Sequence, residues 1–244
     1  MKKITHLYFD LDHTLWDTDK NSEESLNQLF KDFSLQDLGI PSFNDFMSKY
    51  KSHNERLWGL YAENKIGKDA VRVHRFMHTF QDFGIYDLDK AHQMAEVFVS
   101  ITPRKKNLIN GALELLEELN GKYKLAIITN GFKESQHIKM DSSGLSKYFE
   151  DVFISEEIGI NKPDPGIFHY VMEKTGATSP TQCVMIGDTY QTDIVGANSA
   201  GMHAIHLNPM SESVSHDSDQ ITTVQHLKEI NSKLMELEMR FAKI

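Results

Sequence analysis

The chain of 244 residues has a single cysteine, Cys183, so no intramolecular disulfide can form and a disulfide-stapled fold is excluded. Cys183 sits in the apolar run CVMIG, which predicts a buried, inert thiol. Proline and glycine are sparse, at 6 and 14 residues, which excludes collagen-like and low-complexity chains. No stretch approaches the roughly 20 apolar residues of a membrane span. The first apolar run, LYFDL, is short and broken by an acid, so no secretory leader is expected. Positive charge is also in deficit: 26 Lys and Arg stand against 35 Asp and Glu, a net charge of −9. That balance disfavours nucleic-acid polymers and membrane surfaces as partners, while leaving room for a local pocket that takes a small anion. What remains is 40% hydrophobic and 25% charged residues, an ordinary globular composition at a length that suits a core domain with a smaller insert. The expectation is a cytoplasmic protein, monomer or homodimer, acting on a small molecule.

Five short apolar runs, each followed by polar residues, read as strands: residues 4–9, 125–128, 152–154, 184–186 and 204–207. Near-continuous apolar runs suit strands covered on both faces, as in a parallel sheet. Helical patterns intervene at residues 112–119, 167–174 and 193–200. This alternation predicts an α/β fold with a doubly wound, mostly parallel sheet. Residues 19–102 break the rhythm. They hold no strand pattern, and apolar residues recur at helical spacing in four blocks punctuated by Gly39, Gly67 and Gly84. The expected division is residues 1–18 and 103–244 as the sheet-bearing core, with residues 19–102 as a helical insert. Residues 211–219 (SESVSHDSD) read as a polar surface loop. Val224, Leu227, Ile230, Leu234, Leu237 and Phe241 predict a closing helix over residues 224–241.

In open parallel sheets, sites form at the carboxyl ends of the strands. Those ends carry Asp10, Asp12 and Thr14; Thr129, Asn130 and Gly131; and Gly187, Asp188 and Asp193. Lys162 lies in NKPDP, just ahead of a helix. Acids crowded in one place need compensation, which Lys162 supplies in part and a divalent cation would complete. Hard carboxylate oxygens suit Mg²⁺, and two carboxylates with a backbone carbonyl leave room for water and a phosphate oxygen. Asp10 and Asp12, just past a strand end, can diverge, so that one attacks while the other handles protons. Thr129 and the amides near Asn130 and Gly131 can hold phosphate oxygens, and Lys162 can neutralise charge on the same group. Such a set suits phosphoryl transfer through an aspartyl-phosphate.

FDLDHTLWD, ITNG, NKPDP and GDTYQTD, in that order, resemble the four signature motifs of the haloacid dehalogenase superfamily in its phosphatase pattern. The resemblance spans residues 4 to about 207. It implies a Rossmann-like core with a helical cap of the first type, inserted after the first motif, which closes over substrate and excludes water. It implies Asp10 as the nucleophile and Asp12 as the acid that protonates the leaving oxygen and then the base that activates water. Lys162 is implied as the stabiliser of nucleophile and phosphoryl charge, and Thr129 with Asn130 as the phosphate-binding pair. Mg²⁺ would be held by Asp10, Asp188 and the backbone carbonyl of Asp12, with Thr14 orienting the loop and Asp193 in support. Insert length, the wording DLDHTLWD and residues 111–119 look like the branch of noncanonical pyrimidine nucleotidases. The expected reaction is hydrolysis of a small phosphomonoester such as a nucleoside 5′-monophosphate.

Three rivals share parts of this pattern: a phosphomutase, a haloacid dehalogenase, and a non-enzymatic receiver-like phosphoacceptor domain. Asp12 speaks against the dehalogenase, and the chain length and helical insert speak against the receiver. His74 and His78 have one-turn spacing but no third ligand nearby in sequence, which favours a packing or surface role. Trp58 and Tyr61 fit the apolar spacing of the insert's core. Trp16 and Asp17, just past the first motif, are expected near the substrate, and His13 occupies a variable position within it.

Overall fold

A computed structural model of the chain describes residues 3–63, 65–209 and 218–241. The strands are β1 (His6–Phe9), β2 (Lys124–Thr129), β3 (Asp151–Ile154), β4 (Cys183–Gly187), β5 (His203–Leu207) and β6 (Ile221–Val224). They pair in parallel in the order β3-β2-β1-β4-β5-β6. β1 is therefore central, and the chain winds first to one side of it and then to the other. The switch point lies between β1 and β4, where Phe9 pairs with Ile186.

The helices are α1 (Thr18–Asp32), α2 (Phe43–Ala62), α3 (Lys68–Asp82), α4 (Leu88–Ile101), α5 (Ala112–Leu119), α6 (Lys133–Ser143), α7 (Ser155–Ile158), α8 (Pro165–Thr175), α9 (Gly196–Ser199) and α10 (Ile230–Phe241). Alternate strand residues enter different cores. Leu7, Phe9, Leu125, Ile127, Val184 and Ile186 pack with Leu116 of α5 and Leu234 of α10. Tyr8, Ala126, Ile128, Cys183 and Met185 pack with Phe168 of α8 and Ala197 of α9. Both sheet faces are thus buried, which is why the strands read as continuous apolar runs. Cys183 is a buried free thiol. No helix of the described residues is long and apolar enough to cross a membrane.

The chain forms two compact units, Met1–Thr18 with Lys106–Ile244, and Asp19–Lys105. The second is built from α1 to α4 and has its own core, in which Leu29, Phe46, Phe76, Phe80 and Met94 are buried. α2 starts at Ser42, whose hydroxyl accepts the Asp45 N–H at 3.2 Å, and α4 starts at Asp87, whose carboxylate accepts the Lys90 N–H at 2.8 Å. The fold class is the expected one: a doubly wound parallel sheet with an inserted helical unit.

Several local expectations need correction. The closing helix starts later than the spacing suggests. Ile221–Val224 form β6 beside β5, a single 3-10 turn covers Leu227–Glu229, and α10 begins at Ile230. Four β-branched residues in ITTV and pairing to β5 decide the matter for a segment that fits both periods. Residues 190–195 form a π-helical turn ahead of the short α9. Trp58 and Tyr61 lie outside the insert's buried cluster, half-exposed and edge-to-face at 5.6 Å. Residues 211–217 of the polar stretch and the Phe241 side chain lie outside the described residues.

Phe76 is fully buried, with the Tyr50 and Phe98 rings 5.3 and 5.7 Å away. Phe76→Ala should lower the unfolding free energy of the insert by about 3–5 kcal/mol. Urea titration followed by aromatic fluorescence checks this, and a loss below about 1 kcal/mol would contradict the assigned core.

Candidate active site

Asp10 is the first residue past β1 and donates its backbone N–H to the Ile186 carbonyl at 2.9 Å, which fixes it at the switch point. The chain then curls. The Leu15 and Trp16 N–H groups both donate to Leu11 O, at 3.0 and 2.9 Å, and His13 takes a left-handed φ of 58°. That conformation is uncommon outside glycine. It turns Asp12 and Thr14 onto separate paths from Asp10.

Asp10 meets Lys162. The ammonium lies 2.7 Å from Asp10 Oδ1 and 2.7 Å from Asp193 Oδ1, and its side chain is only 2% exposed. Burial alone would lower the pKa of this ammonium, but the Asp10 and Asp193 carboxylates outweigh burial and hold it above its ordinary value. The lysine is itself braced. Asn130 Nδ2 donates to Lys162 O and Asn130 Oδ1 accepts the Lys162 N–H, both at 2.9 Å. Both ends of the Asn130 amide are therefore committed to the Lys162 backbone, so that side chain enters the site as a brace. On the other side, Gly196 of α9 lies so close that an added Cβ would sit 2.9 Å from Pro163 Cα.

Asp193 is held in the π-helical turn. It accepts the Thr189 N–H at 3.1 Å through Oδ2. Asp188, one residue past β4, accepts the Thr14 hydroxyl at 3.1 Å, and its backbone carbonyl accepts His206 Nε2 at 3.0 Å. Burial, and then the charge of Asp193, push the Asp188 carboxyl above its usual range. Asp10, Asp188 and Asp193 each present a carboxylate oxygen within 4.8 Å of the others, the one such group of three or more acid, histidine or cysteine ligands among the described residues. One lysine cannot balance three carboxylates. All-oxygen donors and surplus negative charge fit a hard divalent cation. Asp193 already serves Lys162 and Thr189, which leaves Asp10 and Asp188 as the freer ligands.

Asp12 has a separate set of partners. Its Oδ1 accepts Lys139 Nζ at 2.6 Å and the Thr18 hydroxyl at 2.8 Å, and its Oδ2 accepts Gln136 Nε2 at 2.9 Å. Burial pushes this carboxyl up, but Lys139 and the Gln136 amide pull it down to about 2. Gln136 also donates to Thr129 Oγ1 at 2.7 Å, which accepts the Gly131 N–H at 3.0 Å as well. The Thr129 hydroxyl proton is left to donate to a ligand. Trp16 is buried in the sheet core at 1% exposure, and its ring carries the Lys139 ammonium 4.6 Å away, so it underlies the loop and offers no surface for substrate.

The residues read from the sequence thus fall at the carboxyl ends of β1, β2 and β4, with Lys162 brought in from the segment before α8. Sequence reasoning missed Gln136, Lys139, Thr18 and His206. The available signal was QHIK just after ITNG, where residues three apart share a helical face. His53, His74 and His78 cluster in the insert, with ring centroids 5.4 and 5.6 Å from His78, and His53 pairs with Asp82 at 3.1 Å.

The chain matches known proteins in sequence and in fold. The sequence model of the haloacid dehalogenase-like hydrolases matches residues 7–207, and the chain belongs to that family. It is 33% identical to YfnB of Bacillus subtilis, a HAD-hydrolase by name, over 209 residues, 86% of each chain. A crystal structure of YfnB bound to magnesium superimposes with a TM-score of 0.84 and 29% identity, covering 96% of this chain and all of that one. Pyrimidine 5′-nucleotidase YjjG of Escherichia coli is 30% identical, over 93% of this chain and 96% of its own. Pyrimidine 5′-nucleotidase PynA of Streptococcus pneumoniae is 34% identical over 83% of each.

Gly187 ends β4 where an added Cβ would lie 2.3 Å from Asp193 Oδ2. Gly187→Ala should displace Asp193 from Lys162, lowering stability by about 1–3 kcal/mol and turnover at least tenfold. Thermal unfolding and steady-state rates of the variant check this; wild-type values for both would show that the close contact does not constrain the site.

Proposed function

We propose that the protein is a Mg²⁺-dependent phosphomonoester hydrolase that works through an aspartyl-phosphate on Asp10, with a pyrimidine nucleoside 5′-monophosphate as substrate. The observation that carries this reading is the separation of two neighbouring acids into two donor sets, Asp10 with Lys162 and Asp12 with Lys139. A reaction needing only a nucleophile would have no use for the second set.

Asp10 has one oxygen on Lys162, and the other attacks phosphorus. Lys162 stays cationic throughout and offsets charge on the nucleophile and on the phosphoryl group. Thr129 donates its hydroxyl proton to a phosphoryl oxygen. Asp12 is ionised at rest, so it takes up a proton from solvent as substrate binds and gives that proton to the leaving oxygen as the bond from phosphorus breaks. In the second half a water attacks phosphorus, Asp12 takes its proton, and the Asp10 carboxylate is released with inorganic phosphate. Asp10, Asp188 and the Asp12 backbone carbonyl would hold Mg²⁺, with Asp193 and Thr14 fixing their surroundings. Bound there, the ion supplies positive charge to a phosphate oxygen and eases the repulsion among the acids. Asn130 serves by bracing Lys162. The unit of α1 to α4 corresponds in sequence position to the cap that the family resemblance implies.

The nucleotide assignment draws on two relatives that are pyrimidine 5′-nucleotidases by name, at 30% and 34% identity. Fold and motifs alone would not reach it.

Asp10→Asn should reduce hydrolysis of an aryl phosphate in Mg²⁺ by a factor of about 1000 or more. Retained turnover in the folded variant would remove Asp10 as nucleophile. Chelation should likewise abolish wild-type activity, with Mg²⁺ restoring it.

A panel of nucleotides, sugar phosphates and small organic phosphates tests the substrate. Pyrimidine monophosphates should exceed purine and sugar phosphates at least tenfold in kcat/KM. A flat profile would keep the phosphatase and discard the nucleotidase.

A further inference from the structure

Lys139 is unused in the scheme above, yet it is almost buried and makes one of the shortest contacts in the site, 2.6 Å to Asp12 Oδ1. Three side chains grip this one carboxylate, and all three donate: Lys139 and Thr18 to Oδ1, Gln136 to Oδ2. The two amide hydrogens of Gln136 both have acceptors, Asp12 Oδ2 and Thr129 Oγ1, so the amide cannot rotate without losing both. Its Oε1 is buried and has no partner among the described residues, so the site keeps an unsatisfied acceptor to retain this orientation. Lys139 is pinned in turn, its ammonium lying against the Trp16 ring while that ring is locked in the sheet core. Gln136 and Lys139 stand three residues apart on α6 and therefore share a face.

We propose that Lys139 is a positioning residue that, together with Gln136, fixes the direction of the Asp12 carboxylate for its proton transfer to and from oxygen. The inference rests on the reading of Asp10 as nucleophile and Asp12 as the proton-handling acid. The geometry gives the reason such a residue is needed. Asp12 lies in a loop past a strand end, with no ladder to hold it, and a proton donor must be aligned to within hydrogen-bond geometry of the reacting oxygen. The polar partner of Lys139 in the site is Asp12, and its other neighbour there is the Trp16 ring, so it acts through Asp12.

An aryl phosphate separates the two half-reactions, because its good leaving group needs little protonation. Phosphoenzyme formation and decay are measured by rapid quench with p-nitrophenyl phosphate and Mg²⁺. Lys139→Met should leave formation within about threefold and KM nearly unchanged, while decay slows at least tenfold and phosphoenzyme accumulates. Lys139→Arg, which keeps a charged donor, should bring decay back to within a few-fold of wild type. Asp12→Ala should slow decay as well, and adding Lys139→Met to it should slow decay no further, since the lysine would have nothing left to position. Lys139→Gln serves as a second variant with the same expectations. Wild-type decay in folded Lys139→Met and Lys139→Gln, or equal slowing with and without Asp12, would overturn the proposal. Absence of any phosphoenzyme on Asp10 in the wild type would instead overturn the underlying reading.

Discussion

A buried ammonium shared between two carboxylates organises this site. Lys162 is nearly sealed from solvent and bonds to Asp10 and Asp193 at equal distances. Removing such charges from water costs several kcal/mol per ion, which a single ion pair seldom repays as stability. Its value lies in position. Asp10 comes from β1, Asp193 from the turn after β4, and Lys162 from the segment before α8, so the ammonium ties three remote stretches of chain to one point. The Asn130 amide holds the lysine backbone from the end of β2. Each strand end in the middle of the sheet therefore contributes to holding one cation.

The sheet order explains why these ends meet. With β1 central and the winding direction reversing beside it, the segments leaving β1 and β4 run to opposite sides, at the place where sites form in open parallel sheets. Asp10 and Asp188 follow β1 and β4 at this point. Their like charges, with Asp193 beside them, exceed what Lys162 can neutralise, and the cluster is left cation-seeking. Asp12 escapes that crowding because the curl at His13 sends it toward α6, where Lys139 supplies a second, private cation. Two acids two residues apart are given different electrostatic surroundings by one tight turn.

The parts of this arrangement that the sequence reveals are those where one physical signal dominates. Strands covered on both faces carry uninterrupted apolar runs, so β1, β2, β4 and β5 stand out, and the acids that end them stand out with them. β6 does not, because Ile221–Val224 is four residues long and Val224 also suits the period of the following helix. α6 is hidden for a more instructive reason. Its buried face carries Ser135, Gln136, Lys139 and Met140, so the side chains that serve the site replace the apolar stripe that would announce a helix. Lys139 thus escapes notice because a buried lysine looks like an exposed one until its partner is known. Asn130 was legible as a site residue, but its orientation toward Lys162 depends on a contact 32 positions away along the chain.

The glycines of ITNG and IGD sharpen the same point. Gly131 and Gly187 are not among the glycines with positive φ, so any residue could adopt their backbone conformation. What excludes a side chain is occupied space. A Cβ on Gly131 would fall 1.7 Å from Gln136 Nε2, and one on Gly187 2.3 Å from Asp193 Oδ2. Each glycine yields the volume that its own side chain would need to a polar residue several positions further on: Gln136, which steadies Asp12, and Asp193, which steadies Lys162. The two acids of the first motif are therefore each supported through a glycine at the end of a neighbouring strand, β2 for Asp12 and β4 for Asp10. A glycine in such a motif marks the place where the neighbouring polar side chain must pass, and that side chain is where a search for further functional residues should begin.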